Sequence, residues 1–263
     1  MMKSFILPLL AMAATTVSAH GYVDNATING QFYQFYQPYQ DQYMGEWAPK
    51  RISRPVYSNG PVENVTSIDL QCGGISAEGR IGSSPAPLHA PAEAGSVVNL
   101  RWTHWPDSHM GPLLTYMARC PEEGCHNWLP EAGEAVWFKI QEAGRETEDK
   151  TWPDDIWAST PFMYWGNEGY NYTIPACLKP GFYLVRHEII ALHSAWAESG
   201  AQFYPSCHQL EVTGTGGGDV VPTGEGLVGF PGAYEANHPG IHVNVWNAGG
   251  YTIPGPKVFE CPA

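Results

Sequence analysis

The chain has 263 residues and a formal net charge of −13, because 26 Asp and Glu side chains outnumber 13 Lys and Arg. Nucleic acids and anionic membranes bind basic surfaces, so this acidity argues against both as partners. The length is within the range of one all-β domain, and no second domain is required.

Residues 1–19 have the zones of a secretory signal peptide. A cationic start precedes an apolar run from Phe5 to Ala14, and Val17-Ser18-Ala19 offers small residues for cleavage. The apolar run is shorter than the ~20 residues that span a bilayer. We therefore expect a secreted, extracellular protein that begins at His20, with residues 20–263 forming one domain. His20 would then carry a free α-amine beside its imidazole, and both nitrogens can chelate one metal ion.

An aromatic-rich segment covers residues 31–57. We predict a loop, because Pro38, Pro49 and Pro55 would interrupt a β-ladder. Exposed rings in such a loop would offer flat apolar faces for stacking on sugar rings, although packing onto the core is the more frequent outcome for an individual ring. The aromatic residues of the segment are Phe32, Tyr33, Phe35, Tyr36, Tyr39, Tyr43, Trp47 and Tyr57.

Short predicted strands separated by loops rich in Gly and Pro dominate the rest of the chain, and no segment shows a long helical period. Candidate strands include Val97–His104, Ala135–Gln141, Gly169–Ile174, Gly181–His193 and Gln202–Val212. Small residues separate the last two strands, which predicts an antiparallel hairpin. The pattern indicates a β-sandwich.

Six cysteines in an exported chain predict three disulfides, because the extracellular space is oxidising. Cys120 and Cys125 are close enough in sequence for a local bridge. Spacing alone leaves the pairing of the other four open: Cys72, Cys177, Cys207 and Cys261.

Three Asn-X-Thr sequons predict N-glycosylation of the exported protein. They lie at Asn25, Asn64 and Asn171. We expect a glycoprotein that is monomeric.

Candidate metal-binding and catalytic residues lie in two places. His109 stands two residues before a Gly-Pro pair, a turn sequence that can present an imidazole at a loop end. In the predicted hairpin, Gln202 and Tyr204 share one face of the second strand, and His193 ends the first strand beside them. Taken singly, each of these side chains also fits an ordinary structural role.

Together these segments resemble the fungal lytic polysaccharide monooxygenases of auxiliary activity family 9, formerly classed among the glycoside hydrolases. The matching segments follow the family's order along the chain: His20–Val23 (HGYV), His109–Pro112 (HMGP), Ile174–Cys177 (IPAC), Arg186–Ala195 (RHEIIALHSA), Gly200–Cys207 (GAQFYPSC), Pro239–Ile241 (PGI) and Tyr251–Pro256 (YTIPGP). The resemblance implies an all-β, immunoglobulin- or fibronectin III-like sandwich with long loops and little helix. It also implies the bridges Cys72–Cys207 and Cys177–Cys261.

One copper ion per chain is a further implication of the resemblance. In the family, the N-terminal amine and imidazole, here His20, and a second imidazole, here His109, hold copper through three nitrogens. A tyrosine at the position of Tyr204 lies on the axial side. Such nitrogen ligands suit Cu(II). By the same match, His193 and Gln202 hydrogen-bond the oxygen species.

The reaction implied by the resemblance is oxidative cleavage of cellulose or a related β-1,4-glucan at C1, C4 or both. It uses O2 or H2O2 and a small-molecule or protein electron donor. The segment Pro61–Cys72 resembles members that favour C1. Trp246 stands where the family places an aromatic ring on its flat substrate-binding surface, and Tyr43 and Trp47 are further candidates for substrate contact. We expect no carbohydrate-binding module, so attachment would depend on this surface.

Two other functions are compatible with parts of the sequence. A glycoside hydrolase needs two carboxyl groups about 5–9.5 Å apart. Asp154, Asp155 and Glu188 are the candidates, but no motif places them in a cleft. A non-catalytic copper- or glucan-binding protein on the same fold would keep the two histidines. His193 and Gln202 favour the enzyme, because copper binding alone does not need them.

Overall fold

The structure, a computed structural model, describes residues 20–214 and 218–262, and the predicted signal peptide lies outside them. The strands are Val23–Ile28 (β1), Gln31–Gln34 (β2), Gly74–Ile75 (β3), Arg80–Ile81 (β4), Ala90–Glu93 (β5), Val97–Trp102 (β6), Leu113–Arg119 (β7), Trp137–Ala143 (β8), Tyr170–Thr173 (β9), Gly181–Ala191 (β10) and Gln202–Thr213 (β11). Short 3-10 helices lie at Asp41–Tyr43, Gly45–Trp47, Ile68–Leu70, Ser76–Glu78, Cys125–Asn127, Thr160–Met163 and Gly224–Gly226. The described residues contain no α-helix, which agrees with the expectation of little helix.

Two sheets form a sandwich. One has the strand order β2-β1-β6-β9, and the other has the order β5-β11-β10-β7-β8. Their facing side chains share one buried cluster, which includes Leu100 and Trp102 of β6 and Val185 and Ile189 of β10. Removing such apolar surface from water is the main force that holds sheets together. The predicted all-β sandwich is therefore confirmed.

The five-stranded sheet is buried on both faces. Successive side chains of a strand point to opposite faces, so Leu114 of β7 and Leu184 of β10 point away from the sandwich interior and join a second buried cluster. The loops and the C-terminal segment cover this cluster, with Phe230 and Tyr234 among its members. The central strands consequently lack the simple alternation of apolar and polar residues that marks a half-exposed strand.

The hairpin predicted from the small residues around Gly200 is confirmed. Strands β10 and β11 pair antiparallel, with Ala191 opposite Gln202 and Ile189 opposite Tyr204. Strand β10 ends at Ala191 rather than His193, because the chain turns out of the sheet and the Leu192 N–H donates to the Met110 carbonyl oxygen (2.9 Å). His193 and Gln202 therefore meet at one end of the sandwich.

The prediction of a loop throughout residues 31–57 is wrong at its start, where Gln31–Gln34 forms edge strand β2. Asn29 and Gly30 both have positive φ (49° and 75°), as a two-residue hairpin turn requires. Pro38 lies beyond the strand and does not disturb the ladder. The rest of the segment is irregular apart from two 3-10 helices and a β-bridge at Ser53.

All three expected disulfides form. Cys72–Cys207 joins the loop before β3 to β11, Cys177–Cys261 ties the C-terminal segment to the loop after β9, and Cys120–Cys125 closes a local loop. The first of these bridges begins three residues beyond Tyr204, so it holds a long loop next to the candidate site.

The sequons occupy different environments. Asn25 is half-buried on β1 and donates to Asp24 Oδ2 (2.8 Å). Asn64 is exposed, and its Oδ1 accepts from the Thr66 N–H (2.9 Å). Asn171 is exposed on β9. Glycosylation at all three stays a prediction.

Candidate metal centre and surrounding face

His20 lies directly before β1 at one end of the sandwich. Its carbonyl oxygen accepts a hydrogen bond from Asn59 Nδ2 (3.0 Å). The next residues are held against the loop after β6, since the Tyr22 N–H donates to Thr103 Oγ1 (3.1 Å). Gly21 allows this close approach, because a Cβ there would lie 2.9 Å from the Trp105 ring. The backbone that follows His20 is thus held by Asn59 and by the loop after β6.

His109 lies in the loop between β6 and β7. Its N–H donates to the Pro106 carbonyl oxygen (3.0 Å), and its own carbonyl oxygen accepts from Trp105 Nε1 (2.7 Å). Gly111 packs so closely on β10 that any side chain there would collide with the Ile190 carbonyl. The Gly-Pro pair therefore brings the loop against the end of β10, two residues before His193.

Five of the side chains selected from sequence meet at this end of the sandwich. The His20 and His109 rings are 5.5 Å apart and nearly perpendicular, and the His20 and Tyr204 rings are 6.0 Å apart. His193 packs on the other side of His109 at 4.0 Å between ring centroids. Gln202 joins them through its Oε1, which accepts from the Tyr204 hydroxyl (2.9 Å).

The His109 imidazole is neutral and has an unused nitrogen. Burial, followed by the nearby His193 and His20, lowers the pKa of His109 to about 3. Its Nε2 is buried and has no hydrogen-bond partner. Burial and the nearby His20 also lower the pKa of His193, whose buried Nδ1 lacks a partner too. Buried polar atoms are rarely left unsatisfied in native proteins, so an orphaned nitrogen needs an explanation, and a role as a metal ligand is one.

The side chains around Tyr204 include two that sequence reasoning did not select. Trp105 packs its ring on that of Tyr204 (4.8 Å, 83°). Glu63 accepts from Gln202 Nε2 (3.3 Å), so the Gln202 amide is held between Glu63 and Tyr204. Burial, and secondarily Glu63, raises the pKa of Tyr204, which keeps its hydroxyl protonated. Glu63 lies in the segment Pro61–Cys72, but no local pattern marked it.

The predicted substrate-contact residues are exposed to different degrees. Trp246 is 37% exposed, and its Nε1 donates to the His193 carbonyl oxygen (2.9 Å), which places it beside the histidines. Tyr43 and Trp47 are 74% and 80% exposed. They lie in the aromatic segment, which reaches His20 through Asn59, a residue also bonded to the Tyr39 hydroxyl (2.5 Å).

The carboxylates that a hydrolase would need are engaged elsewhere. Glu188 is fully buried and accepts hydrogen bonds from Arg186 and the Tyr234 hydroxyl. Asp155 is buried in an ion pair with Arg145 (2.8 Å) and accepts from Trp157 Nε1 (2.7 Å). Neither can face a glycosidic bond, so Asp154 has no catalytic partner among the sequence candidates.

The donor set also needs a nitrogen beyond the imidazoles. In the described part of the chain, no group of three His, Cys, Asp or Glu side chains is arranged to hold a metal ion. The residues present fit a metal only if another donor completes the pair His20 and His109. The α-amine expected at His20 is such a donor.

Comparison with known proteins decides the family. The model of Auxiliary Activity family 9 (formerly GH61) matches residues 20–252. The chain belongs to this family. It is 64% identical to the AA9 family lytic polysaccharide monooxygenase C of Podospora anserina, with 100% of both chains covered. It is 47% identical to monooxygenase A of Gloeophyllum trabeum, over 96% of this chain and 75% of that one.

Solved structures in the AA9 family share the fold. The crystal structure of a cellulose-active polysaccharide monooxygenase from M. thermophila matches with a TM-score of 0.77 and 32% identity, covering 92% of this chain and 99% of that one. The chain is thus an AA9 lytic polysaccharide monooxygenase, an enzyme that cleaves polysaccharide oxidatively. The hydrolase and the non-catalytic alternative are both set aside. Within residues 20–214 and 218–262, no helix has the length and apolar character of a membrane span.

Proposed function

We propose that this AA9 monooxygenase binds one copper ion at His20 and His109 and cleaves cellulose or a related β-1,4-glucan at C1, C4 or both. The observation that carries the proposal is that Nε2 of His109 has no hydrogen-bond partner. This imidazole is buried and neutral, and its ring lies 5.5 Å from the His20 ring. A neutral imidazole with an unused lone pair is a ligand that Cu(II) favours. The match to the family model also begins at residue 20.

In this proposal, the imidazole and α-amine of His20 and the Nε2 of His109 would hold the ion, and the Tyr204 ring, 6.0 Å from the His20 ring, would lie beside it. When bound, copper would supply one-electron redox chemistry with O2 or H2O2, using electrons from a small-molecule or protein donor. His193 and Gln202 orient the oxidant by hydrogen bonds. The Gln202 amide is suited to this role because Tyr204 and Glu63 fix both of its ends.

Substrate contact is assigned to exposed rings around the histidines. Trp246 offers a partly exposed indole whose N–H is already bonded to His193, so its orientation is fixed. Tyr43 and Trp47 extend the face along the aromatic segment. Aromatic faces bind the C–H faces of neutral sugars, and the net charge of −13 is no obstacle to an uncharged polymer. The cellulose activity of the M. thermophila relative supports this choice of substrate.

Export of the protein is part of the proposal. Residues 1–19 would be removed as a signal peptide, which creates the His20 amine, and the mature monomer would act outside the cell. Three disulfides with no free cysteine in the described residues are the state expected of an oxidising compartment.

Mass spectrometry of products tests the reaction. Copper-loaded protein that begins at His20 is incubated with cellulose, with and without ascorbate. We expect aldonic acids, 4-keto sugars or both, and only with ascorbate. Their masses also identify the oxidised carbon. Absence of oxidised products from protein that binds copper tightly would contradict the proposed substrate.

A further inference from the structure

A cleft of about 290 Å³ opens beside the candidate metal centre, and none of the residues assigned to copper or to substrate contact lines it. Its walls include Asp107, Met110, Trp152, Thr160, Met163 and Tyr164. Met110 directly follows His109. Trp152 packs its ring against Trp246 (6.2 Å, 70°), and Trp246 is bonded to His193. The cleft is thus continuous with the face around the histidines.

The walls of the cleft are held in place. Arg145 pairs with Asp155 (2.8 Å) and donates to the Gly249 carbonyl oxygen (2.8 Å), which ties the Trp152 loop to the segment after Trp246. On the opposite wall, the 3-10 helix Thr160–Met163 is bonded to the loop that carries His109, because the Trp105 N–H donates to Phe162 (3.0 Å). Binding in a preformed cleft loses little conformational entropy.

The chemistry of the cleft suits a neutral sugar. Trp152 and Tyr164 are 46% and 67% exposed, and they present aromatic surface to the same cleft from separate loops. The Thr160 hydroxyl and the exposed Asp107 carboxylate can bond sugar hydroxyls. A carboxylate in the wall disfavours an acidic sugar, since like charges repel. The volume is near the lower end of small-molecule sites, about 300 Å³.

We propose that this cleft is a pyranose-binding subsite that engages a soluble β-glucan chain next to the centre of oxidation. The inference rests on the proposed function and adds a substrate class to it. A flat crystalline surface cannot enter a recess, whereas a free glucan chain can insert one sugar ring into it. The ring is either a glucosyl unit of the main chain or a branch sugar.

Binding of soluble oligosaccharides to copper-loaded protein tests the subsite without relying on turnover. Calorimetry compares cellohexaose, a xylose-branched cello-oligosaccharide and a glucuronic acid-bearing oligosaccharide. We expect Trp152→Ala and Tyr164→Ala each to weaken binding of a neutral oligosaccharide about fivefold to tenfold, the contribution expected of one stacking ring. Trp196→Ala is the matched control, since Trp196 is 60% exposed but does not line the cleft. Its affinity should equal that of the unmodified protein.

The same titrations separate the two sources of the ring. Weaker binding of both neutral ligands assigns the cleft to the main chain, and weaker binding of the branched ligand alone assigns it to a branch sugar. Unchanged affinity in both cleft variants overturns the proposal, as does equal binding of the acidic ligand or no binding of any soluble oligosaccharide by the unmodified protein. Cellulose oxidation by the unmodified protein is scored separately. If the unmodified protein does not oxidise cellulose, the proposed function is contradicted. If it does oxidise cellulose but the cleft variants bind oligosaccharides with unaltered affinity, only the subsite is contradicted.

Discussion

Two groups of histidines in this molecule can be compared: His109 and His193 at the exposed end of the sandwich, and His187 and His208 in its interior. Burial lowers the pKa in both groups. Desolvation lowers the pKa of His109 at the end, and of His187 and His208 in the interior, to about 3. The hydrogen bonds differ. His187 contacts Trp102 Nε1 (3.1 Å) and Thr115 Oγ1 (2.9 Å), and His208 contacts the Tyr172 hydroxyl (2.7 Å).

At the exposed end, by contrast, His109 Nε2 and His193 Nδ1 are buried without a partner. A depressed pKa therefore does not distinguish a ligand-binding histidine from a structural one in this protein. What separates His109 from His187 and His208 is the missing hydrogen-bond partner at its Nε2. His187 and His208 are satisfied by neighbours that the fold supplies, whereas His109 Nε2 and His193 Nδ1 are left without a protein partner.

Replacing one histidine in each region should give the largest difference in copper affinity and in stability. His109→Ala should lower Cu(II) affinity by more than about 100-fold, because loss of a ligand costs more than the 10- to 100-fold typical of outer-sphere partners. The free energy of unfolding of the metal-free variant should change little. His187→Gln should keep copper affinity but lower that free energy by about 1–3 kcal/mol, since buried groups lose partners. Copper titration and urea unfolding of both variants measure this. If His109→Ala binds copper as tightly as the unmodified protein, the proposed difference between the two regions is wrong.

The residues that border the proposed ligands should affect rate rather than metal binding. His193→Ala and Gln202→Leu should each lower oxygen- or peroxide-driven cleavage about 10- to 100-fold while copper stays bound. The measurement is the initial rate of product formation on cellulose, with copper content determined in the same samples. Full activity in both variants would refute the roles assigned to them.

The interior histidines should make stability depend on pH. Their folded pKa of about 3 lies below the ordinary value of 6.5, so below pH 6.5 the unfolded chain takes up protons that the folded chain does not. The free energy of unfolding should therefore fall as pH falls from 6.5 towards 3, by up to about 1.4 kcal/mol per pH unit for each histidine. Urea unfolding of metal-free protein between pH 7 and 5 measures the slope. His187→Gln should flatten it, and an unchanged slope would contradict the assignment.

The smallest expected effect is at the surface. Trp246→Ala removes an exposed ring, and we expect cellulose binding to weaken about twofold to tenfold, the range for one aromatic contact. The unfolding free energy should fall by only about 1 kcal/mol, the cost of the hydrogen bond from Trp246 Nε1 to the His193 carbonyl oxygen. Binding isotherms on cellulose measure the change. If affinity is unaltered, Tyr43 and Trp47 become the preferred contacts, and Trp47→Ala tests them.

The parts of the fold that depend on local signals were predictable from sequence. The small residues around Gly200 predicted the hairpin that brings His193 and Gln202 together, and the family motifs implied the disulfide pairing. Strand β2 was not predicted, although Asn29-Gly30 is a strong hairpin signal, because the prolines of the segment indicate a loop and all of them lie beyond the strand. Strand β7 was missed because both of its faces are buried, so its sequence does not alternate.

Contacts between distant segments were not predictable. Glu63 is 139 residues from Gln202, and nothing in its own segment indicates that it holds the Gln202 amide. Trp152 and Tyr164 line one cleft only because loops after β8 fold against the loop that carries His109. The unpartnered state of His109 Nε2 is likewise a property of three-dimensional packing. The family motif pointed to His109, and the structure adds that one nitrogen of this imidazole has no hydrogen-bond partner.

The most direct test of the copper centre is to block the proposed His20 amine. Cu(II) affinity is measured by competition titration for protein that begins at His20 and for the same protein with one alanine added before it. The extended chain keeps both imidazoles but replaces the amine with an amide, so we predict a loss of more than about 100-fold in affinity and of ascorbate-dependent oxidised products. Equal affinity and equal product yield from the two proteins would contradict a centre built on the amine of His20.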